Sequence, residues 1–68
     1  MIQNDDELRT TLERISKFQA QIRHIRELET SPDNYHVSVS GFLCEVDQMN
    51  LEVREYLSAH PKELAQTG

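Results

Sequence analysis

The sequence predicts an all-α protein, an antiparallel two-helix hairpin that dimerises into a four-helix bundle. Two apolar stripes of helical period and a short turn signal between them indicate this fold class. The more regular stripe alternates steps of four and three residues without a break. Its members are Tyr35, Val39, Phe42, Val46, Met49, Val53 and Tyr56. Such heptad spacing places a single apolar seam along one helix.

The first helix is predicted to cover residues 4–29. Asn4 is a suitable N-cap, and Glu7 follows it at the spacing of a capping box. Apolar residues then recur on one helical face. They are Leu8, Leu12, Ile15, Phe18, Ile22, Ile25 and Leu28. The residues before Asn4 are interpreted as a short lead-in to the helix.

The second helix is predicted to cover residues 32–59, so that residues 1–60 form the hairpin. Ser31 as N-cap and Pro32 at the first helical position are a start signal. Because only about two residues then separate the helices, they must fold back antiparallel. A longer turn, reaching Val37, is the alternative.

The second helix is predicted to stop before Pro61, which disfavours helical geometry in the residue preceding it. Residues 61–68 are interpreted as a polar tail with one short turn. Gly41 lies inside the helix, where it either marks a close helix contact or is simply tolerated.

One antiparallel register matches the two stripes along their whole length. It pairs seam positions of the first helix with seam positions of the second. The pairs are Ile25 with Val39, Ile22 with Phe42, Phe18 with Val46, Ile15 with Met49, Thr11 with Val53, and Leu8 with Tyr56, while Leu28 with Tyr35 is one residue out of this register. Two independent patterns therefore agree on the hairpin.

Self-association is expected because 68 residues bury little apolar surface. The lone Cys44 cannot form an internal disulfide, and no ligand cluster suggests structural zinc. Leu43 and Leu57 flank the seam and widen it, with Asn50 between them. These three residues are the candidate self-association site. Asn50 either sets the register of the oligomer or is an ordinary exposed asparagine.

A second apolar set, Val37, Cys44 and Leu51, repeats every seven residues on the opposite face of the second helix. The first helix has nothing comparable. Isolated exposed apolar residues are normal on protein surfaces, which is one interpretation. The other is that a further subunit or a different protein covers this face, which makes these residues a candidate partner surface.

No enzymatic or cofactor site is predicted. The three histidines are scattered, whereas zinc needs three or four converging ligands. Cys44 lacks an activating histidine, and Glu45 and Asp47 near it disfavour a thiolate. Since the chain's only glycines are Gly41 and Gly68, it has no phosphate-binding glycine loop. We therefore expect no catalytic residues, no metal and no cofactor.

The expected location is the cytoplasm, because the lone cysteine fits a reducing compartment and MIQNDDELR does not resemble a signal peptide. No apolar run is long enough to span a bilayer. The net charge of −5 argues against direct nucleic-acid binding. A homo-oligomer, with a second small protein as a further partner, is expected instead.

The opening MIQN, the first amphipathic helix and the ending Glu52-Val53-Arg54-Glu55-Tyr56-Leu57 resemble a known arrangement. They are similar to the N-terminal helical hairpin of small bacterial helix-turn-helix antitoxin-type regulators. The likeness covers most of residues 1–57 in layout and a few residues in identity. That family's DNA-binding domain has no counterpart in these 68 residues, so DNA binding is not carried over.

The resemblance implies a cytoplasmic bacterial protein linked to toxin–antitoxin-like operons. The predicted function is a non-enzymatic protein-interaction module, the antitoxin-like or regulatory half of a two-protein system. An acidic chain suits a basic partner such as an RNA-cleaving toxin. The alternative is a stand-alone, self-assembling bundle with a structural role.

Overall fold

The computed structural model describes residues 1–60 of the chain. Within this range it contains two helices packed against each other as a hairpin, and no strand. Helix α1 spans Asp5–Leu28 and helix α2 spans Pro32–Leu57. The predicted all-α hairpin is therefore confirmed. The predicted polar tail, residues 61–68, lies outside the described residues.

Helix α1 begins one residue later and ends one residue earlier than the predicted 4–29. Asn4 has extended backbone geometry, and its side-chain oxygen accepts the Glu7 backbone N–H at 2.9 Å. The Glu7 carboxylate accepts the backbone N–H of Gln3 at 2.7 Å, one residue before the N-cap. Side chains therefore satisfy one backbone donor that the start of the helix leaves without a partner, that of Glu7, and also the donor of Gln3 just before the cap.

The turn is short, as Ser31 and Pro32 predict. The Ser31 side chain accepts the Asn34 backbone N–H at 3.4 Å, and Pro32 occupies the first helical turn. The Ser31 backbone N–H donates to the Glu29 carboxylate at 3.0 Å, which holds the connection closed. The longer turn reaching Val37 is not formed, since α2 already begins at Pro32.

Helix α2 ends at Leu57, two residues before the predicted position 59. Ser58 is its C-cap, and the Ser58 hydroxyl donates to the Glu55 carbonyl at 2.7 Å. Serine readily forms such local bonds to the backbone, and they compete with continued helix. The helix thus ends four residues before Pro61.

The core is a single layer between the two helices. Ile15 packs with Val46 and Met49, and three partly buried residues pack against this cluster: Phe18, Ile22 and Val53. Val39, only 1% exposed, fills the layer nearer the turn. These positions belong to the two predicted stripes, so the heptad pattern identified the buried face of α2.

Phe18 and Phe42 contact each other edge to face, with ring centroids 5.7 Å apart. The register from the sequence instead pairs Phe18 with Val46 and Phe42 with Ile22. Large rings reach one helical turn along the seam, so an aromatic pair forms between neighbouring layers. Edge-to-face geometry is the favoured arrangement for such rings.

The residues before α1 are part of the core, which the sequence interpretation missed. Ile2 is only 8% exposed, as deeply buried as the seam residues. It lies with Met1 in a hollow between the two helices, beside Thr11 of α1 and Glu52 of α2. The apparent lead-in therefore closes the open end of the hairpin.

Candidate interaction surfaces

One flank of the hairpin presents leucine side chains that the described residues cover only in part. Leu43 is 46% exposed and Leu57 is 63% exposed. Asn50, seven residues from each, is also exposed. Leu43 lies at the edge of a shallow hollow that it shares with Ser16 and Gln19 of α1. The candidate self-association residues thus lie together on one side of the hairpin, next to α1.

Leu12 joins this flank, although its place in the apolar stripe predicts a buried residue. It is 47% exposed, whereas its neighbour Thr11 is half-buried in the seam. Leu12 lies one heptad before Gln19, so it shares the flank that Gln19 and Leu43 form. We call the surface formed by Leu12, Leu43, Asn50 and Leu57 the leucine face.

Leu28 is the second stripe residue that the structure exposes, at 68%. Ile22, Ile25 and Leu28 follow each other in steps of three. Each such step rotates a side chain by about 60° away from the seam, because a turn takes 3.6 residues. Two of them in succession carry Leu28 off the buried face. Its place in the predicted core was wrong for this reason.

The second candidate surface lies on the side of α2 that faces away from α1. Val37 is 77% exposed, Leu51 is 47% exposed, and Cys44 is exposed between them. These three residues are called the outer stripe. Helix α2 carries five acidic residues and one arginine, so the helix that presents the outer stripe has a net negative charge. Both candidate residue sets are thus exposed, and the members of each repeat every seven residues along α2.

The flank opposite the leucine face is closed near the open end by the chain's own first residues. The Met1 amino group lies 3.6 Å from the Glu52 carboxylate, and Ile2 packs beneath them. Arg14 of α1 lines the same hollow as Glu52 of α2. The two flanks therefore differ, since one is covered locally and the leucine face is not.

A polar contact ties the two helices together at the same end. The Tyr56 hydroxyl donates to the Asp5 carboxylate at 2.7 Å. The pKa of the Tyr56 phenol is raised above its ordinary value. The hydrogen bond to Asp5 is the largest cause, and partial desolvation and the negative charges of Asp5 and Glu7 add to it. The contact links the first turn of α1 to the last turn of α2.

The described part of the chain brings no metal-binding cluster together. Residues 1–60 contain no group of three or more histidine, cysteine, aspartate or glutamate side chains placed to hold a metal ion. His24 and His36 are exposed on different helices, and the ring of His36 contacts Tyr35. Neither α1 nor α2 has a stretch apolar and long enough to cross a membrane.

Comparison with protein-family models, with curated proteins and with solved structures finds no match to this chain. The resemblance to helix-turn-helix antitoxin-type regulators therefore stays a prediction. Assignment of a role rests on the two exposed apolar surfaces, the leucine face and the outer stripe.

Proposed function

We propose that this protein is a non-enzymatic protein-interaction module that acts as a homodimeric four-helix bundle. The observation that carries the proposal is the leucine face, where one leucine of α1 and two of α2 are 46–63% exposed on the same flank. A one-layer core with few fully buried side chains is marginal for a chain of this length. A second hairpin laid on the leucine face adds the missing second layer.

The outer stripe has a different role in this proposal. It lies on the far side of α2 from the seam, so a dimer formed through the leucine face leaves it exposed. Val37 and Leu51 then remain available to another protein on each side of the bundle. The excess of acidic residues on α2 favours a basic partner with an apolar segment.

An antitoxin-like or regulatory role in a bacterial two-protein system is the form of this function that the resemblance favours. The basic partner is then a small toxin, such as an RNA-cleaving protein, that docks on the outer stripe. The competing function is a stand-alone bundle with a structural role. The two differ in whether the outer stripe has an occupant after the chain has dimerised.

The test separates the two surfaces. The chain is co-expressed with the product of its neighbouring gene, and growth, co-purification and oligomer mass are measured. We expect a stoichiometric complex that Val37→Ser with Leu51→Ser abolishes, while the dimer mass is unchanged. If the neighbour is harmless when expressed alone and only the homo-oligomer is recovered, the antitoxin-like role is wrong and the stand-alone bundle is favoured.

A further inference from the structure

We propose that the second copy docks on the leucine face about a two-fold axis that passes between the two Asn50 residues and between the two Leu12 residues. Helix α2 then packs antiparallel on α2 of the second copy, α1 packs on α1, and the two turns lie at opposite ends of the bundle. This inference rests on the homodimer proposed above and adds its symmetry.

The spacing on α2 is symmetric about Asn50. Leu43 lies seven residues before Asn50 and Leu57 lies seven residues after it. When two identical helices cross antiparallel at Asn50, Leu43 of each copy meets Leu57 of the other. Every exposed leucine of this row then has an apolar partner, and the two asparagine side chains face each other, where they can exchange hydrogen bonds.

The position of Leu12 agrees with the same axis. Ser16 and Gln19 of α1 share a hollow with Val46 and Leu43 of α2, so these two stretches lie side by side. Leu12 lies four residues before Ser16 in α1, and Asn50 lies four residues after Val46 in α2. Because the helices are antiparallel, both steps lead to the same level. A two-fold axis that passes between the two Asn50 residues therefore also passes between the two Leu12 residues and brings them together.

The charges beside this row are complementary in the same arrangement. Asp47 and Arg54 lie one turn beyond Leu43 and Asn50, on the outer edge of the leucine face. Asp47 is three residues before Asn50 and Arg54 is four residues after it. Antiparallel pairing brings Asp47 of each copy to Arg54 of the other, twice in the dimer. Among the ion pairs of the described chain, neither residue takes part.

The alternative two-fold axis runs parallel to the helices and places both turns at the same end. With this axis, α2 of one copy packs on α1 of the other, and every residue keeps its height along the helix axis. Leu43 then faces Gln19, and Leu57 faces the level of Asp5, so the leucines meet polar side chains. Asp47 no longer meets Arg54. Apolar and charge complementarity both favour the axis across the helices.

Spin-label distances within the dimer test the arrangement. Cys44→Ser removes the native thiol, and a single label is then placed at Thr30→Cys in the turn or at Glu13→Cys near the proposed axis. Both positions are exposed and lie off the leucine face. The turn is 18 residues from Leu12, so the rise per residue predicts about 50 Å between the two Thr30 labels. The Glu13 labels should be much closer together.

Turns at the same end would reverse this order, with roughly 10–20 Å between the Thr30 labels because neighbouring helices are 8–10 Å apart. That result, from a protein with dimer mass, overturns the proposed axis and leaves the homodimer standing. Labelled protein with monomer mass and no dipolar coupling overturns the homodimer itself.

A charge exchange gives a second, independent readout. Asp47→Arg should weaken the dimer by roughly tenfold, because it places like charges together at two symmetric positions. Adding Arg54→Asp should restore the affinity to within about twofold. The two residues are two helical turns apart within one chain, so rescue requires contact between copies. Failure of the double variant to recover affinity contradicts the proposed pairing.

Discussion

Replacing Leu43 with glutamine removes apolar surface from the leucine face and keeps a residue that favours helix. The side chain is 46% exposed in the hairpin, so about half of its burial is left for a partner to complete. Full burial of a leucine contributes about 1.5–3 kcal/mol. The remaining half in two copies therefore contributes about 1.5–3 kcal/mol to the dimer. The dissociation constant should rise by about 10- to 100-fold.

Leu51→Gln is the matched control, because Leu51 is on the same helix and is 47% exposed. The two substitutions remove the same surface from the hairpin and differ only in the face that they change. Sedimentation equilibrium over a concentration series measures the dissociation constant of each variant. We expect Leu51→Gln to match the wild type. Equal weakening by both variants, or weakening by Leu51→Gln alone, would refute the assignment of the leucine face.

Three further predictions concern the hairpin itself. Gly41→Ala should raise the free energy of unfolding by up to about 1 kcal/mol in a thermal melt, because a Cβ there meets nothing within 4 Å; a loss would indicate that another copy packs on this position. Val46→Asp should abolish the helical circular dichroism signal at neutral pH, because Val46 is 6% exposed and the carboxylate finds no partner in the seam. Val37→Asp, at a 77% exposed position of the same helix, should keep the signal. Tyr56→Phe should lower the melting temperature below pH 10 and lose this effect at higher pH. The reason is that the folded state raises the pKa of Tyr56, so the stabilising hydrogen bond from its neutral phenol is lost as pH rises through that pKa. A pH-independent difference in melting temperature would contradict this assignment.

The helices and their turn were predictable because their signals are local. Asn4 and Ser31 both act as N-caps through their own side chains, as their positions in the sequence predict. The unbroken heptad seam identified Val39, Val46 and Met49, which the structure buries. A cap or a period needs only neighbouring residues to act, so one sequence is enough to recognise it.

Contacts between distant parts of the chain were harder to predict. Ile2 is an isolated apolar residue in the sequence, and only the antiparallel pairing places α2 beside it. The hydrogen bond from Tyr56 to Asp5 joins opposite ends of the chain for the same reason. Neither feature has a period or a motif that marks it in advance.

The leucine face was found only in part from the sequence. Leu43, Asn50 and Leu57 were identified, but hydrophobicity alone assigned Leu12 to the seam in place of Thr11. The antiparallel register already paired Thr11 with Val53, and this signal would have moved Leu12 to the flank. Asp47 and Arg54 gain a role only once a symmetry axis through Asn50 is considered.

The most direct test of the central claim is the mass of the wild-type protein in solution, measured by sedimentation equilibrium together with circular dichroism. The chain has a mass of 7.9 kDa. We predict twice this mass at micromolar concentration, with helical signal lost as dilution separates the copies. A protein that stays monomeric, helical and thermally stable at micromolar concentration would contradict the four-helix bundle and the function proposed from it.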